Sequence, residues 1–536
     1  MAFGVALAQG GFAQQNHSSH DIPVIPAELL ERRVPLRSGI GRTHDAVTTS
    51  SPEAQKFYDQ GLEYLHDYVW IEAARSFNQA LRLDPDLALA YVGLSSAHIE
   101  MNQSAAARRA LRRAEMLAPR VAEHDRRHIT IRGRQLEAED APQDTSKMAA
   151  YRKTLDEALA DFPADVELWL QRGVAESPDP TDRGQGSGPT AIPYFERALT
   201  LVSDHFAAHH YLTHAYENSG RIQEALLHGA AYASLAPEVP HARHMYGHDL
   251  RRVGRGGEAI AEFEAADRLE RAYFKAEGIP PEYDWHYEHN LDLLAMSYQY
   301  MGQVAKTEPL LKAAFALPTG NLVQAFNKRE WPLFLRSRGR VDDAMAAAAA
   351  LVSHPHVVVQ AIGHIEIGHL QLMKGRFAEA AAEANAALPV VKSGVGGSGL
   401  LALPFEELQG EFFLRTGQRD KGRTMLDAMI KKARAAPGPD EWSQALFTLE
   451  AIARAARETG DWAFAGRVAR EMLDHDPAYA GTHYALALAA EHQGDRSTAY
   501  AEFALAEKYW SSADRDLKAL QDIRQRTRPG QGPQRR

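Results

Sequence analysis

Six histidines stand out as side chains able to do chemistry together. His210 and His214 are four residues apart, as are His244 and His248, and the second pair follows the first by 34 residues; His241 and His289 complete the set. Residues four apart share one face of a helix, so each pair can present two imidazoles in the same direction. Neutral imidazole is the commonest protein ligand for metal ions. Glu217 and Asp292, each three residues beyond a histidine, add carboxylate oxygens as ligands or as hydrogen-bond acceptors behind them. An all-N/O donor set of this kind suits zinc, copper, iron, nickel or manganese. The candidate ligands are therefore His210, His214, Glu217, His241, His244, His248, His289 and Asp292, enough for two ions. If such an ion were catalytic, Glu217 or Asp292 would serve as general base. Two other roles suit the same residues: hydrogen-bonded packing groups copied along with a repeat, or a groove for an anionic ligand or peptide lined by imidazoles and Arg251.

Composition narrows the chemistry. The chain has 536 residues, is 45% hydrophobic and 24% charged, and carries a formal net charge of −10. This is the balance of a folded protein with a large core. The negative charge and the lack of a basic stripe in the body of the chain argue against general nucleic-acid binding. No apolar run approaches the length of a membrane span. The absence of cysteine excludes disulfides, thiolate zinc sites, iron–sulfur clusters and thiol catalysis. Glycine-rich phosphate loops, GxSxG and HExxH are also missing, which removes the familiar nucleotide, serine-hydrolase and zincin chemistries.

The elements that must position these histidines recur along the chain. Phe57, Gly61, Tyr64, Ala73, Phe77, Ala80 and Pro85 describe two helices and a turn, and Ala107, Leu111, Ala114 and Pro119 return in the same frame 34 residues on. Later copies keep it at Gly220, Ala225 and Pro237, where Tyr232 replaces the small residue, then at Gly254, Ala259, Phe263 and Ala266, and again at Gly460 and Pro477 and at Gly494, Ala499, Phe503 and Ala506. This spacing resembles the tetratricopeptide repeat family over nearly the whole chain. The resemblance implies an all-α, right-handed superhelical solenoid of about 12 helix-turn-helix units. We place the units at 54, 88, 132, 166, 206, 240, 288, 325, 361, 403, 446 and 480. Positions 4, 7, 8 and 11 of each first helix carry the packing residues, which leaves positions 2, 5, 9 and 12 as a second stripe; the resemblance implies that the first helices line the concave surface and that this stripe meets ligands. In units 206, 240 and 288 those positions hold six histidines among twelve residues, against 24 in the whole chain. The stretches His210–Glu217, Pro240–His248 and His289–Asp292 further resemble a bacterial tetratricopeptide group of uncertain function with HYLIHAYD-like and HALHMPSH-like motifs. Tyr246 and Gly247 depart from its Pro-Ser.

The remaining chain is divided as follows. Residues 1–14 read as the tail of a signal peptide or a flexible N-terminus, with small-residue cleavage sites at Ala8 or Ala13, which predicts a periplasmic or secreted protein. Residues 15–50 form an extended arm, in which His17, His20 and His44 read as solvated. Residues 51–390 are repeats with the histidine-rich groove in units 206–321, 391–402 a Gly/Ser-rich linker, 403–515 further repeats and 516–536 a disordered basic tail. Two inserts flank the histidine-rich units: Ser177–Pro189 and Gly278–Glu288, the second carrying Tyr283, Trp285 and Tyr287, which would either cover a metal site as a lid or pin the loop against the solenoid. His124 and His128 on a charged helix, and Glu407 and Glu411, read as solvated faces. Taken together, these features predict an exported solenoid that binds a protein, peptide or small molecule in its groove and carries a transition-metal site. A metal-dependent oxidoreductase or hydrolase, or a protein for metal carriage or storage, are the alternatives.

Overall fold

The computed structural model describes residues 25–319, 322–394, 396–436 and 438–527. His17, His20 and the apolar N-terminal segment lie outside them. The described residues contain helices and no strand, so the all-α solenoid of helix pairs is what forms. The chain divides into two compact units, one made of residues 25–249 with 268–276 and the other of 250–267 with 277–527.

In the first unit a short helix α1 (Ala27–Leu30) precedes the pairs α2 (Pro52–His66) and α3 (Trp70–Leu83), α4 (Ala88–Glu100) and α5 (Ser104–Leu117), and α6 (Glu123–Asp140) and α7 (Thr145–Asp161). The pairs α8 (Val166–Val174) and α9 (Ile192–Leu201), and α10 (Phe206–Asn218) and α11 (Ile222–Leu235), follow, and then α12 (Pro240–Arg252), of which residues 240–249 belong to this unit. The repeat signature has a steric cause. The Phe77 ring is fully buried, and a Cβ at Gly61 or Gly93 would sit 2.4 or 2.3 Å from it. A glycine on each neighbouring first helix therefore makes room for one aromatic wedge, and Phe195 against Gly173 repeats the arrangement. The first helix of the unit expected at 132 is the long helix α6, which starts earlier, at Glu123.

In the second unit, α13 (Gly256–Glu277) contributes residues 256–267, followed by α14 (Trp285–Tyr300) and further pairs to Arg526. Two sequence expectations change here. The Gly/Ser-rich stretch is not a free linker, because Leu401 is buried in the same core as Ile362 and Leu408. The tail expected to be disordered from 516 forms the helix Lys518–Arg526, which buries Leu520 and Ile523 against Phe503 and Trp510. Its apolar residues are spaced three apart, enough for one buried stripe. The unit expected at 325 has its first helix in two pieces, Leu322–Asn327 and Glu330–Ser337, with Pro332 accepted in the first turn of the second piece.

The N-terminal arm is the feature that shapes the site. Residues 35–48 run extended across the first helices of the first unit. Arg37 N–H donates to Gln60 Oε1 (2.7 Å), Thr43 N–H to Glu63 Oε1 (3.2 Å) and Thr48 N–H to Asp125 Oδ2 (3.0 Å), while Gly39 C=O accepts from Glu238 N–H (2.8 Å). The arm thus ties α2 to the turn before α12, with Gln60 and Glu238 178 residues apart in sequence. Gly41 adopts φ +87°, and a Cβ there would lie 2.5 Å from the Phe206 ring. Gly41→Ala should therefore unseat the arm, lowering stability by on the order of 2 kcal/mol and speeding trypsin cleavage at Arg42. Unchanged urea midpoint and cleavage rate would contradict this seating.

Candidate metal centre

Helices α10 and α12 carry the histidines. Alanine, leucine and tyrosine occupy the packing face of α10, and this leaves His210, His214 and Glu217 on the adjoining stripe, facing His241, His244 and His248 of α12. All six are buried, between 0 and 7% exposed, so the stripe expected to line an open groove is interior.

Three rings converge. His210 Nε2 lies 3.1 Å from His214 Nε2 and 3.1 Å from His241 Nε2. All three candidate ligand atoms lie within 4.8 Å of one another. Ligands held tetrahedrally at about 2.0–2.1 Å from zinc are about 3.3–3.4 Å apart, so the trio is close to ligand spacing without movement of the backbone. The tautomer also fits. His210 Nδ1 is 2.7 Å from the carbonyl of His66, which can only accept, so Nδ1 carries the proton and Nε2 presents its lone pair. Burial, and then the adjacent His214 ring, push His210 well below the usual imidazole range, which keeps it in the neutral, ligating form.

The second pair lies one turn along. His244 and His248 approach through Nε2 at 2.7 Å, and Glu217 Oε2 stands 3.9 Å from His248 Nδ1. The other predicted ligands, His289 and Asp292, belong to α14 in the second unit. There Asp292 is buried, and half-buried His289 stacks on Trp285 at 6.2 Å.

Sequence reasoning missed the groups that orient the trio. His66 Nε2 pairs with Glu167 Oε2 (2.8 Å) and its Nδ1 with Tyr211 Oη (2.8 Å), so the residue whose carbonyl fixes His210 is itself held on both sides. Thr43 of the arm donates to Glu167 Oε1 (3.0 Å) and meets His205 Nε2 (3.2 Å). The Tyr68 ring lies over the three imidazoles, at 4.7, 6.3 and 5.1 Å from His210, His214 and His241. Tyr68 adopts φ +61°, an uncommon state for a bulky residue. Its hydroxyl donates to the Arg183 carbonyl (2.6 Å), so the Ser177–Pro189 insert anchors this cover. Tyr232, the residue that broke the repeat pattern, stacks on His210 at 4.6 Å and donates to Asp67 (2.8 Å). A signal for Glu167 was available, since it holds position 2 of its unit, as His241 does in unit 240.

Several expectations are corrected. Arg251 does not line a ligand groove: it is buried in the second unit, with its guanidinium 5.0 Å from the Tyr300 and Trp442 ring centres and a hydrogen bond to Ser443. Of the suggested lid, Tyr287 is buried while Tyr283 and Trp285 are half-buried. His124 and His128 are not solvated: both reach Asp165, and His128 is buried. Hydrogen bonds to Asp125 and Asp165 raise His124 to about 10, and burial raises Asp45 beside it to about 7. Glu411 is also interior and pairs with His369 and Arg415, each at 2.6 Å, and Glu407 is half-buried. His44, by contrast, is exposed as expected, and pairs with Asp59.

No family model and no curated protein matches the chain. Solved structures do: the human IFIT1 dimer with PPP-AAAA (13% identity, 87% of this chain and 96% of that chain, TM-score 0.40), yeast Tom70 (13%, 88% and 94%, 0.33) and a tetratricopeptide repeat protein from Parabacteroides merdae (14%, 52% and 98%, 0.31). Among the described residues no helix is long and apolar enough to cross a membrane.

The buried imidazoles predict a pH signature. Burial lowers His205 to about 4. The unfolded chain takes up a proton at this ring near pH 6.5 and the folded chain does not, so its contribution to stability is lost as pH falls from about 6.5 towards 4. Relative to His205→Gln, the parent should lose up to about 3 kcal/mol across that window, measured by urea unfolding. Parallel profiles would contradict a neutral, buried His205.

Proposed function

We propose that the first unit is a metal-holding solenoid in which His210, His214 and His241 bind one transition-metal ion through Nε2. The observation that carries this reading is the convergence of three ring nitrogens, with the His210 tautomer set by the His66 carbonyl. Three imidazoles leave a further coordination position for water or an incoming donor. The His244/His248 pair with Glu217 supplies more donors one turn away, which supports a second ion or a transfer step along the row. Burial of the trio beneath Tyr68 favours an ion that is held over one that turns over substrate. A metalloenzyme, in which Glu217 acts as base, is the second reading, and metal carriage or storage is compatible with the row of donors.

The arm bears on the partner. It occupies first-helix surface where a peptide or small molecule would bind, so a groove ligand of the first unit has to displace residues 35–48 or bind beyond them. Ligands free of cysteine also suit an oxidising compartment, which is consistent with an exported protein.

Removing a ligand tests the site. Chelated protein titrated with zinc should bind an ion that His210→Ala and His241→Ala each weaken by more than about 100-fold, while exposed His492→Ala leaves it unchanged. Equal affinity in the parent and both trio variants would refute the assignment.

A further inference from the structure

A second cluster lies in the first unit, away from the trio and built of different donors. Asp45 comes from the arm, His124 and His128 from one face of α6, and Asp165 is the N-cap of α8. One ligand atom from each of the four lies within 4.8 Å of the others. His124 Nε2 and His128 Nε2 both aim at the same oxygen, Asp165 Oδ2, at 2.9 and 3.1 Å, and His124 Nε2 is 3.3 Å from Asp45 Oδ1. Asp45, His128 and Asp165 are almost completely covered, with His124 19% exposed in its side chain.

The opposite atoms of these groups are held from outside. Asp45 Oδ2 accepts from the Tyr58 hydroxyl (2.9 Å), Asp165 Oδ1 from Leu168 N–H (3.1 Å), and His124 Nδ1 meets Asp125 Oδ1 (3.2 Å). Asp125 is in turn fixed by Thr48 N–H of the arm (3.0 Å). Metal ligands are oriented in this way, with the coordinating atom turned inward and the other atom bound to an outer partner.

We infer that Asp45, His124, His128 and Asp165 form a second metal site, for a divalent ion of the zinc, manganese or iron(II) class, and that this ion latches the N-terminal arm to the solenoid. Two imidazoles with two carboxylates select harder ions than three imidazoles do. Asp45 is the arm's only ligand to the ion among the described residues, and the remaining three come from helices far along the chain. Binding therefore joins segments 120 residues apart in sequence (Asp45 to Asp165) and closes the arm over Glu167 and His205. The inference does not depend on the trio holding metal.

The test uses the full chain, stripped with chelator, reloaded with zinc or manganese and desalted, with bound metal counted by elemental analysis. Asp165→Asn keeps the N-cap oxygen and Asp45→Asn keeps an acceptor for Tyr58, so both variants should fold; His124→Gln is the third. Each should lose one ion per chain relative to the parent, and His241→Ala should lose a different one, so that Asp165→Asn with His241→Ala loses two. Trypsin cleavage at Arg42, slowed more than about tenfold by metal in the parent, should be insensitive to metal in Asp165→Asn. If the three variants fold with helical content like the parent and retain its ion count, the second site is refuted. If metal is lost but arm cleavage is unmoved, the latch is refuted. Loss of an ion in Asp165→Asn with none lost in His241→Ala would uphold this site and overturn the trio.

Discussion

The structure of the first unit depends on how buried imidazoles are satisfied. A ring nitrogen taken out of water costs free energy unless it meets a donor, an acceptor or a cation, and α10 and α12 bury five such rings side by side. Each neutral ring has one N–H and one lone pair. His210 spends its N–H on the His66 carbonyl, so its Nε2 can only accept, and two further Nε2 atoms face it at the same distance. In the proposed site a metal ion would meet all three lone pairs at once. The surroundings hold these rings in place: Glu167 and Tyr211 hold the His66 ring, and Tyr68 and Tyr232 pack against His210.

The arm extends the same constraint outward. Glu167 is a buried carboxylate; burial works against its charge, and its pairing with His66 nevertheless holds it below the usual carboxylate range. Thr43 completes its coordination from the arm. The arm thus closes a polar interior that the helices alone leave partly open. Two polar clusters, one of imidazoles and one of imidazoles with carboxylates, lie at either end of the run from His241 through His210, His66, Glu167 and Thr43 to Asp45. Removing one member leaves its neighbours buried without partners, so the effects of substitutions along this run should be coupled rather than additive.

Much of the fold was legible because it rests on local spacing. Glycine and alanine at fixed intervals let helices approach around Phe77 and Phe195, and that requirement is written within each unit. The stripe that brings His210, His214 and His241 together was legible for the same reason, since a 100° wheel and a 34-residue period place them. What was not legible depends on contacts between distant units. His66 lies outside the stripe, at the end of α2, and meets Glu167 101 residues away. The path of the arm follows from where its backbone groups find acceptors, which no period records. His124 and His128 were misread because charge density was taken for exposure. Arg126 and Arg127 do point outward to Glu123 and Asp161, while His124, Asp125 and His128 occupy the inward face of the same helix.

The central claim is that the three Nε2 atoms hold an ion. Anomalous diffraction from crystals of protein loaded with zinc, recorded above and below the zinc absorption edge, tests it without recourse to variants. The account predicts a difference peak about 2 Å from Nε2 of His210, His214 and His241, beneath the Tyr68 ring. Fully ordered imidazoles in the same positions with no anomalous density among them would contradict it.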